Sequence, residues 1–253
     1  MGQVASKIGR GTPRTVGPVA EDPTLRQMSH RILVVEDEPD LLEAVVFALR
    51  KEGMKPIPCK DGEEALRIVK ERRPDLVLLD LMLPGLDGIE VCRRLRASED
   101  TARIPIIMIT AKAEETDAVI GLGVGADDYV RKPFGLKELA ARVRSLLRRT
   151  NEPPEPGQPI RHGELEVDPS RHEVRLHGKP IPVTATEFRL LVHLARNPGR
   201  VYSRAQLLDK AVGTDVIVIE RNIDVHISAL RRKLEDYGDR LVTIRGVGYK
   251  FVE

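Results

Sequence analysis

Two segments of this chain, DLVLLD at residues 75–80 and IPIIMIT at residues 104–110, are apolar at almost every position. A strand that is apolar on both faces must be covered on both, which is the condition of a parallel sheet with helices packed on each side. Three more short runs, RILVV, MKPIPC and DDYVRKP, have strand character. Between the five runs lie longer amphipathic stretches at Pro39 to Glu52, Gly62 to Arg72, Gly88 to Ala97, Glu115 to Leu122 and Leu136 to Arg149. This βα repetition predicts a doubly wound α/β domain with a five-stranded parallel sheet over residues 30–149. Ligands of such a sheet gather outside the carboxyl ends of its strands.

A chain of 253 residues has room for a second core. TNEPPEPGQP, residues 150–159, holds four prolines among polar residues and reads as an exposed linker. Beyond it, over residues 160–253, the period-two segments GELEVD, HEVRLHG and PIPV predict a small antiparallel sheet. Thr184 with Glu187, and Ser203 with Gln206, have capping-box spacing ahead of two helices. A longer helix is expected from about Glu220 to Leu234, and LVTIRGVGYKFVE closes the chain as a hairpin with glycines at its turn. Three helices followed by a hairpin is the order of an α+β winged helix-turn-helix domain.

On the long helix, Ile223, Ile227, Leu230 and Leu234 fall within about 60° of one another and form the expected buried stripe. The opposite face presents Arg221, Val225, Ser228 and Arg232, with Ala229 beside them. Basic ends around small residues suit a helix in a DNA major groove. Over the whole chain 41 basic and 39 acidic residues nearly cancel, but residues 160–253 carry 16 against 13, a mildly basic balance that agrees with a phosphate-binding surface.

The strand ends carry the chemistry. Glu36 and Asp37 follow ILVV, Asp80 ends LVLLD, Thr110 follows IIMI, and Lys132 lies two residues beyond YV. In a doubly wound sheet these groups converge on one crevice. Three close carboxylates repel unless cations neutralise them, and an all-oxygen donor set on a shallow surface suits hydrated Mg²⁺. An ionised aspartate beside Mg²⁺ and an ammonium can attack a phosphoryl group, which would leave an acyl phosphate on Asp80.

The stretch around these residues resembles the receiver domain of two-component response regulators. The residues that carry the resemblance are Glu36-Asp37, the Asp80 stretch LVLLDLMLPGLDG, Thr110-Ala111 and GADDYVRKPF. The receiver fold of that family is flavodoxin-like. The resemblance implies that Asp80 accepts phosphate from a sensor histidine kinase, and that Mg²⁺ is held by Asp37, Asp80 and the Met82 carbonyl with Glu36 acting through water. It implies further that Thr110 and Lys132 contact the phosphoryl group, that Tyr129 turns inward behind Thr110, and that the bond before Pro133 is cis.

Residues 160–253 resemble the winged-helix output domain of OmpR/PhoB-type regulators, through TATEFRLLVHLARNPGRVYSRAQLL, IDVHISALRRKL and TIRGVGYKF. By that resemblance Arg221, Val225, His226, Arg231 and Arg232 face double-stranded DNA, and Thr243, Arg245 and Tyr249 belong to the wing. Phosphorylation is then expected to favour a homodimer through the fourth helix, fifth strand and fifth helix of the receiver. Its crossed ion pairs join Asp127 to Arg149 and Asp128 to Arg142. Glu138 is present for a third pair, but Ala118 replaces its usual basic partner.

There are further departures. Ser228 and Ala229 stand where many members carry arginines, and Val212-Gly213 stands where Trp-Gly is common. VIVI, residues 216–219, is expected to be core or a loop that faces RNA polymerase.

Two other functions share parts of this pattern. Phosphatases of the haloacid dehalogenase type also use a strand-end Asp with Thr, Lys and Mg²⁺, but they place a second Asp two residues on as proton shuttle, and here that residue is Met82. We therefore expect no enzyme. A phosphorylation-independent DNA-binding protein that keeps the receiver only to dimerise is the remaining alternative.

Cys59 and Cys92 lack any CxxC or Cys/His spacing, so neither a zinc site nor a disulfide framework is expected. No apolar run is long enough to span a bilayer, and the expectation is a cytoplasmic protein without membrane attachment. MGQVAS fits a myristoylation pattern, but residues 1–29 are rich in Gly, Pro, Ser and Thr and read as a disordered tail, with Met28 as an alternative start.

Overall fold

A computed structural model of the chain describes residues 29–98, 100–111, 124–151, 158–212 and 222–253, without the side chains of residues 149–151, 211, 212 and 222. The expectations for the tail, the helix at 115–122 with Ala118, the 152–157 stretch of the linker, the Val212-Gly213 anchor, VIVI, the Arg149 side chain and Arg221 lie outside the described residues.

The N-terminal half runs β1 (Arg31–Val35), α1 (Pro39–Lys51), β2 (Lys55–Cys59), α2 (Gly62–Arg72), β3 (Leu76–Asp80), α3 (Gly88–Ala97), β4 (Ile106–Thr110), β5 (Asp128–Arg131) and α4 (Leu136–Asn151). Local chemistry sets the helix starts. Pro39 opens α1, where a missing N–H costs nothing, and Asp61 and Asp87 cap α2 and α3 by accepting from Glu64 N at 2.7 Å and Glu90 N at 2.8 Å.

The five strands pair in parallel in the order β2-β1-β3-β4-β5. Alternation along each strand fills two cores. Ile32, Val34, Leu76, Leu78, Ile107 and Ile109 pack under α1 and α4, whereas Leu33, Val35, Val77, Leu79, Ile106 and Met108 pack under α2 and α3. Each such side chain contributes about 1.5–3 kcal/mol on burial, and the double coverage explains why β3 and β4 are apolar throughout. The strand order reverses between β1 and β3, so the crevice of the sheet opens at the ends of those two strands. Glu36, Asp37 and Asp80 sit there.

The C-terminal half begins with a four-stranded antiparallel sheet: β6 (Ile160–His162), β7 (Leu165–Asp168), β8 (Glu173–Leu176) and β9 (Lys179–Pro180). Three helices follow, α5 (Ala185–Ala195), α6 (Arg204–Val212) and α7 (Asn222–Lys233), with β10 (Tyr202–Ser203) between the first two. A 3-10 turn, Glu235–Arg240, leads to the hairpin of β11 (Leu241–Ile244) and β12 (Gly248–Phe251), and β10 adds to its edge. Thr184 and Glu187 form a reciprocal capping box, and Ser203 and Gln206 exchange the same two bonds. Ile223, Ile227, Leu230 and Leu234 are buried in one core with Leu165, Phe188, Leu191 and Phe251. PIPV differs from expectation. Only Lys179–Pro180 pairs as strand, because Val183 turns into the core and Thr184 is committed to the cap.

His172 sits at φ 54° in the β7–β8 turn and stacks on Phe188 at 3.8 Å between centroids. Burial, reinforced by Arg189 and Arg103, pushes its imidazole down from 6.5 to about 4. A base with a depressed folded pKa contributes stability above its unfolded value and loses it as pH falls toward the folded one. Between pH 7 and pH 5 this residue alone should remove about 2 kcal/mol. His172→Asn, which tolerates the left-handed backbone, should flatten that slope in urea unfolding at the two pH values.

Candidate functional site

Three strands deliver the polar groups. β1 ends in Val35 and hands Glu36 to the crevice at 1% exposure; β3 ends in Asp80 at 2%; β4 ends in Thr110 at 3%. β5 leads to Lys132, whose N–H is held by the Thr110 carbonyl at 2.7 Å and whose bond to Pro133 is cis. The Lys132 ammonium donates to Asp80 Oδ2 at 2.6 Å and Glu36 Oε1 at 2.9 Å, and lies 3.8 Å from Glu38. Burial lowers the affinity of that ammonium for its proton, but the bonds from Asp80 and Glu36 more than offset this and raise its pKa. Burial pushes the Glu36 carboxyl up to about 7, with the Lys132 bond opposing and Asp80 adding repulsion.

One oxygen of Glu36, Oε2, is buried without any hydrogen-bond partner. Ligand atoms of Glu36, Asp37 and Asp80 lie within 4.8 Å of one another. An orphaned carboxylate oxygen in an all-oxygen cluster fits a hard divalent cation, and the residues present therefore fit Mg²⁺. The Met82 N–H donates to Asp80 Oδ1 at 2.8 Å, which brings the Met82 peptide to the same cluster while its side chain points out at 57% exposure. A cleft of about 410 Å³ lined by Asp37, Met82, Pro84, Asp87, Ile89 and Thr110 leaves the group open from outside. The turn from β3 into α3 is tight. A Cβ on Gly88 would lie 2.1 Å from the Asp80 carbonyl oxygen.

Tyr129 is half-buried on the cluster formed by β1, β3, β4, α2 and α3. Among the acids expected at a dimer face, Asp128 pairs with Arg142 at 3.2 Å inside the chain, and Arg142 also holds Glu138 at 2.8 Å. Asp127 is 2% exposed. Its Oδ2 accepts from Arg96 Nη2 at 2.9 Å and Ile106 N at 3.0 Å, and its Oδ1 accepts from Thr186 N of α5 at 3.2 Å. Sequence reasoning missed both Arg96 and Thr186. No local pattern marks either, since each meets Asp127 only through the fold.

On the nucleic-acid side, Arg232, Thr243 and Arg245 are exposed. Val225, His226, Arg231 and Tyr249 are placed otherwise. His226 is buried at 1% and Ala229 at 3%, and Val225 packs on the same receiver cluster as Tyr129. Arg231 is turned to the wing, where Nε donates to the Leu241 carbonyl at 2.9 Å and Nη2 to Thr243 Oγ1 at 2.8 Å. Tyr249 is 4% exposed in the core, and its hydroxyl donates to Asp224 at 2.7 Å. Tyr249 lies in the C-terminal core and pairs with Tyr202 where β10 meets β12.

Residues 32–144 match the response regulator receiver domain, and residues 178–251 match the C-terminal domain of transcriptional regulatory proteins. The chain is 48% identical over 226 residues to the DNA-binding response regulator MtrA of Mycolicibacterium smegmatis, covering 88% of this chain and 97% of that protein. It is 46% identical over 226 residues to the phosphate regulon transcriptional regulatory protein PhoB of Escherichia coli, covering 88% and 98%. Among solved structures, a mutant of RitR superposes with a TM-score of 0.75 at 26% identity, over 89% of this chain and all (100%) of that one.

Gly88→Ala should force the β3–α3 turn apart, lowering stability by about 1–3 kcal/mol and weakening Mg²⁺ binding; thermal unfolding and calorimetric Mg²⁺ titration check the two effects.

Proposed function

The chain belongs to the OmpR/PhoB-type response regulators, and from that premise we propose that it is a transcription regulator switched by phosphate on Asp80. The observation that carries the reading is the bond network of Lys132 with Asp80 and Glu36 at the reversal of strand order. A sensor histidine kinase supplies the phosphoryl group. An Asp80 carboxylate oxygen attacks phosphorus, the P–N bond to the kinase imidazole breaks, and the imidazole leaves with its electron pair. Asp37, Asp80 and the Met82 carbonyl, with Glu36 acting through water, would hold Mg²⁺, which would supply positive charge opposite the incoming oxygens.

Lys132 pairs with one phosphoryl oxygen and Thr110 with another, while Tyr129 turns inward as Thr110 moves. With Met82 in place of a carboxylate, no side chain there takes a proton from water, so Asp80 keeps its phosphate. The phosphorylated form pairs with a second copy through the face that carries Asp127, Asp128, Glu138, Arg142 and Arg149. Two winged helices then engage tandem half-sites about one helical turn apart. Arg221, Val225, His226 and Arg232 face the major groove, and Thr243 and Arg245 reach the backbone and minor groove from the wing. Arg231 and Tyr249 brace the wing.

Asp80→Ala should abolish Mg²⁺-dependent labelling by acetyl phosphate and remove the gain in promoter binding that the phosphodonor produces. Unchanged labelling would overturn the site. Arg245→Ala should weaken binding to all sequences and reduce the salt slope of binding by about one, whereas Arg231→Ala should lower the stability of the wing before it changes that slope.

A further inference from the structure

We propose that Met82 is an oxidation site that sets how long Asp80 keeps its phosphate, its thioether being turned by a peroxide into a sulfoxide that directs water onto the acyl phosphate; this rests on the reading of Asp80 as the phosphoacceptor. Burial decides which sulfur reacts. Among the described residues, Met54 and Met108 are 7% and 1% exposed, whereas Met82 is 57% exposed. The thiols, which ordinarily compete for an oxidant, are closed off. Cys59 and Cys92 are buried at 3% and 0%, and burial pushes both thiols up to about 11, so little thiolate is present at neutral pH.

Met82 stands where an added oxygen meets the chemistry. It lines the cleft of about 410 Å³ together with Asp37, Asp87 and Thr110, and Leu83, Pro84 and Ile89 supply apolar wall beside it. Its backbone is fixed, because its N–H is held by Asp80 Oδ1 at 2.8 Å and Gly88 N closes the turn on the Leu81 carbonyl at 3.1 Å. The unbranched side chain adjusts by rotation alone. Reduced, it offers the cleft apolar surface and a weakly accepting sulfur. Oxidised, it becomes polar, and its oxygen accepts a hydrogen bond from water.

The oxidation balances with hydrogen peroxide as co-reactant. A sulfur lone pair attacks one peroxide oxygen, the S–O bond forms as the O–O bond breaks, and water leaves; sulfur gives up two electrons and the peroxide takes them. The second step consumes water. While the sulfoxide oxygen accepts one of its hydrogens, the water oxygen attacks phosphorus, the P–O bond to Asp80 breaks, and the carboxylate leaves with the electron pair. Both hydrogens end on the released phosphate, so the sulfoxide takes no proton and acts as a positioning group. Oxidation thus turns a chain that stores its phosphate into one that discharges it, and reduction of the sulfoxide resets it.

The full chain is treated with hydrogen peroxide, freed of oxidant, and phosphorylated with acetyl phosphate and Mg²⁺. Peptide mapping by mass spectrometry locates the sulfoxide. After removal of the phosphodonor, intact-protein mass spectrometry follows the loss of phosphate with time. Met82 should oxidise ahead of Met54 and Met108, and the phosphate half-life should fall on the order of tenfold. Treatment with methionine sulfoxide reductase should restore it. Met82→Leu should show the same half-life with and without peroxide, and Met82→Gln, which carries a permanent acceptor, should be short-lived without any oxidant.

A mapped Met82 sulfoxide with an unchanged half-life, or with phosphate uptake blocked outright, overturns the proposal, and this arm needs no variant. An equal loss of half-life in peroxide-treated Met82→Leu overturns it as well, since another sulfur is then responsible. If the untreated protein takes no phosphate on Asp80, it is the phosphoacceptor reading that falls, and the role of Met82 with it.

Discussion

The ammonium of Lys132 is the group on which the acidic crevice depends. Glu36 and Asp80 are almost wholly withdrawn from solvent and end neighbouring strands, a placement that self-repulsion forbids without a counter-charge. Removing one partner from a buried set of this kind costs about 3–5 kcal/mol, because the remaining charge stays behind uncompensated. Lys132 reaches both carboxylates only because β5 pairs with β4 in a register that sets Thr110 against Arg131. The chemistry at β1 and β3 therefore relies on a strand two places from β3 and three from β1 in the sheet.

A second carboxylate, Asp127, solves the same problem at the other end of β5 by a different route. Arg96 brings a planar guanidinium from α3 and shares its donors between that acid and three backbone carbonyls. A lysine could not span those acceptors, since a point charge lacks the fork geometry. The two ends of one four-residue strand thus carry two buried acid–base contacts, one toward the acidic crevice and one toward the output half.

The sheet and its helices were legible because their signals are periodic and local. The double-sided apolar runs of β3 and β4, the caps at Asp61, Asp87 and Thr184, and the stripe from Ile223 to Leu234 each follow from spacing alone. The convergence of Glu36, Asp37, Asp80, Thr110 and Lys132 was legible for a related reason, since strand ends of a doubly wound sheet share an edge. The strands β6 and β10, with three and two residues, are too short to carry a period. Asp127 read as an exposed acid of a dimer face, paired with Arg149 of a second copy, because acids are seldom buried unless paired and its partners Arg96 and Thr186 lie 31 and 59 residues away. Tyr249 and Arg231 read as outward groups for the same reason: sequence marks a polar atom but not the neighbour that satisfies it.

The engagement of Asp127 by Thr186 has a bearing on dosage. Docking within one chain is a unimolecular equilibrium and does not change with the amount of protein, whereas pairing of two receivers is second order in it. Under the proposed pairing of receivers, which would draw on the same carboxylate, each copy added to the cell would shift the balance away from the Thr186-engaged monomer. The number of molecules synthesised would then set the threshold of the response alongside the signal itself.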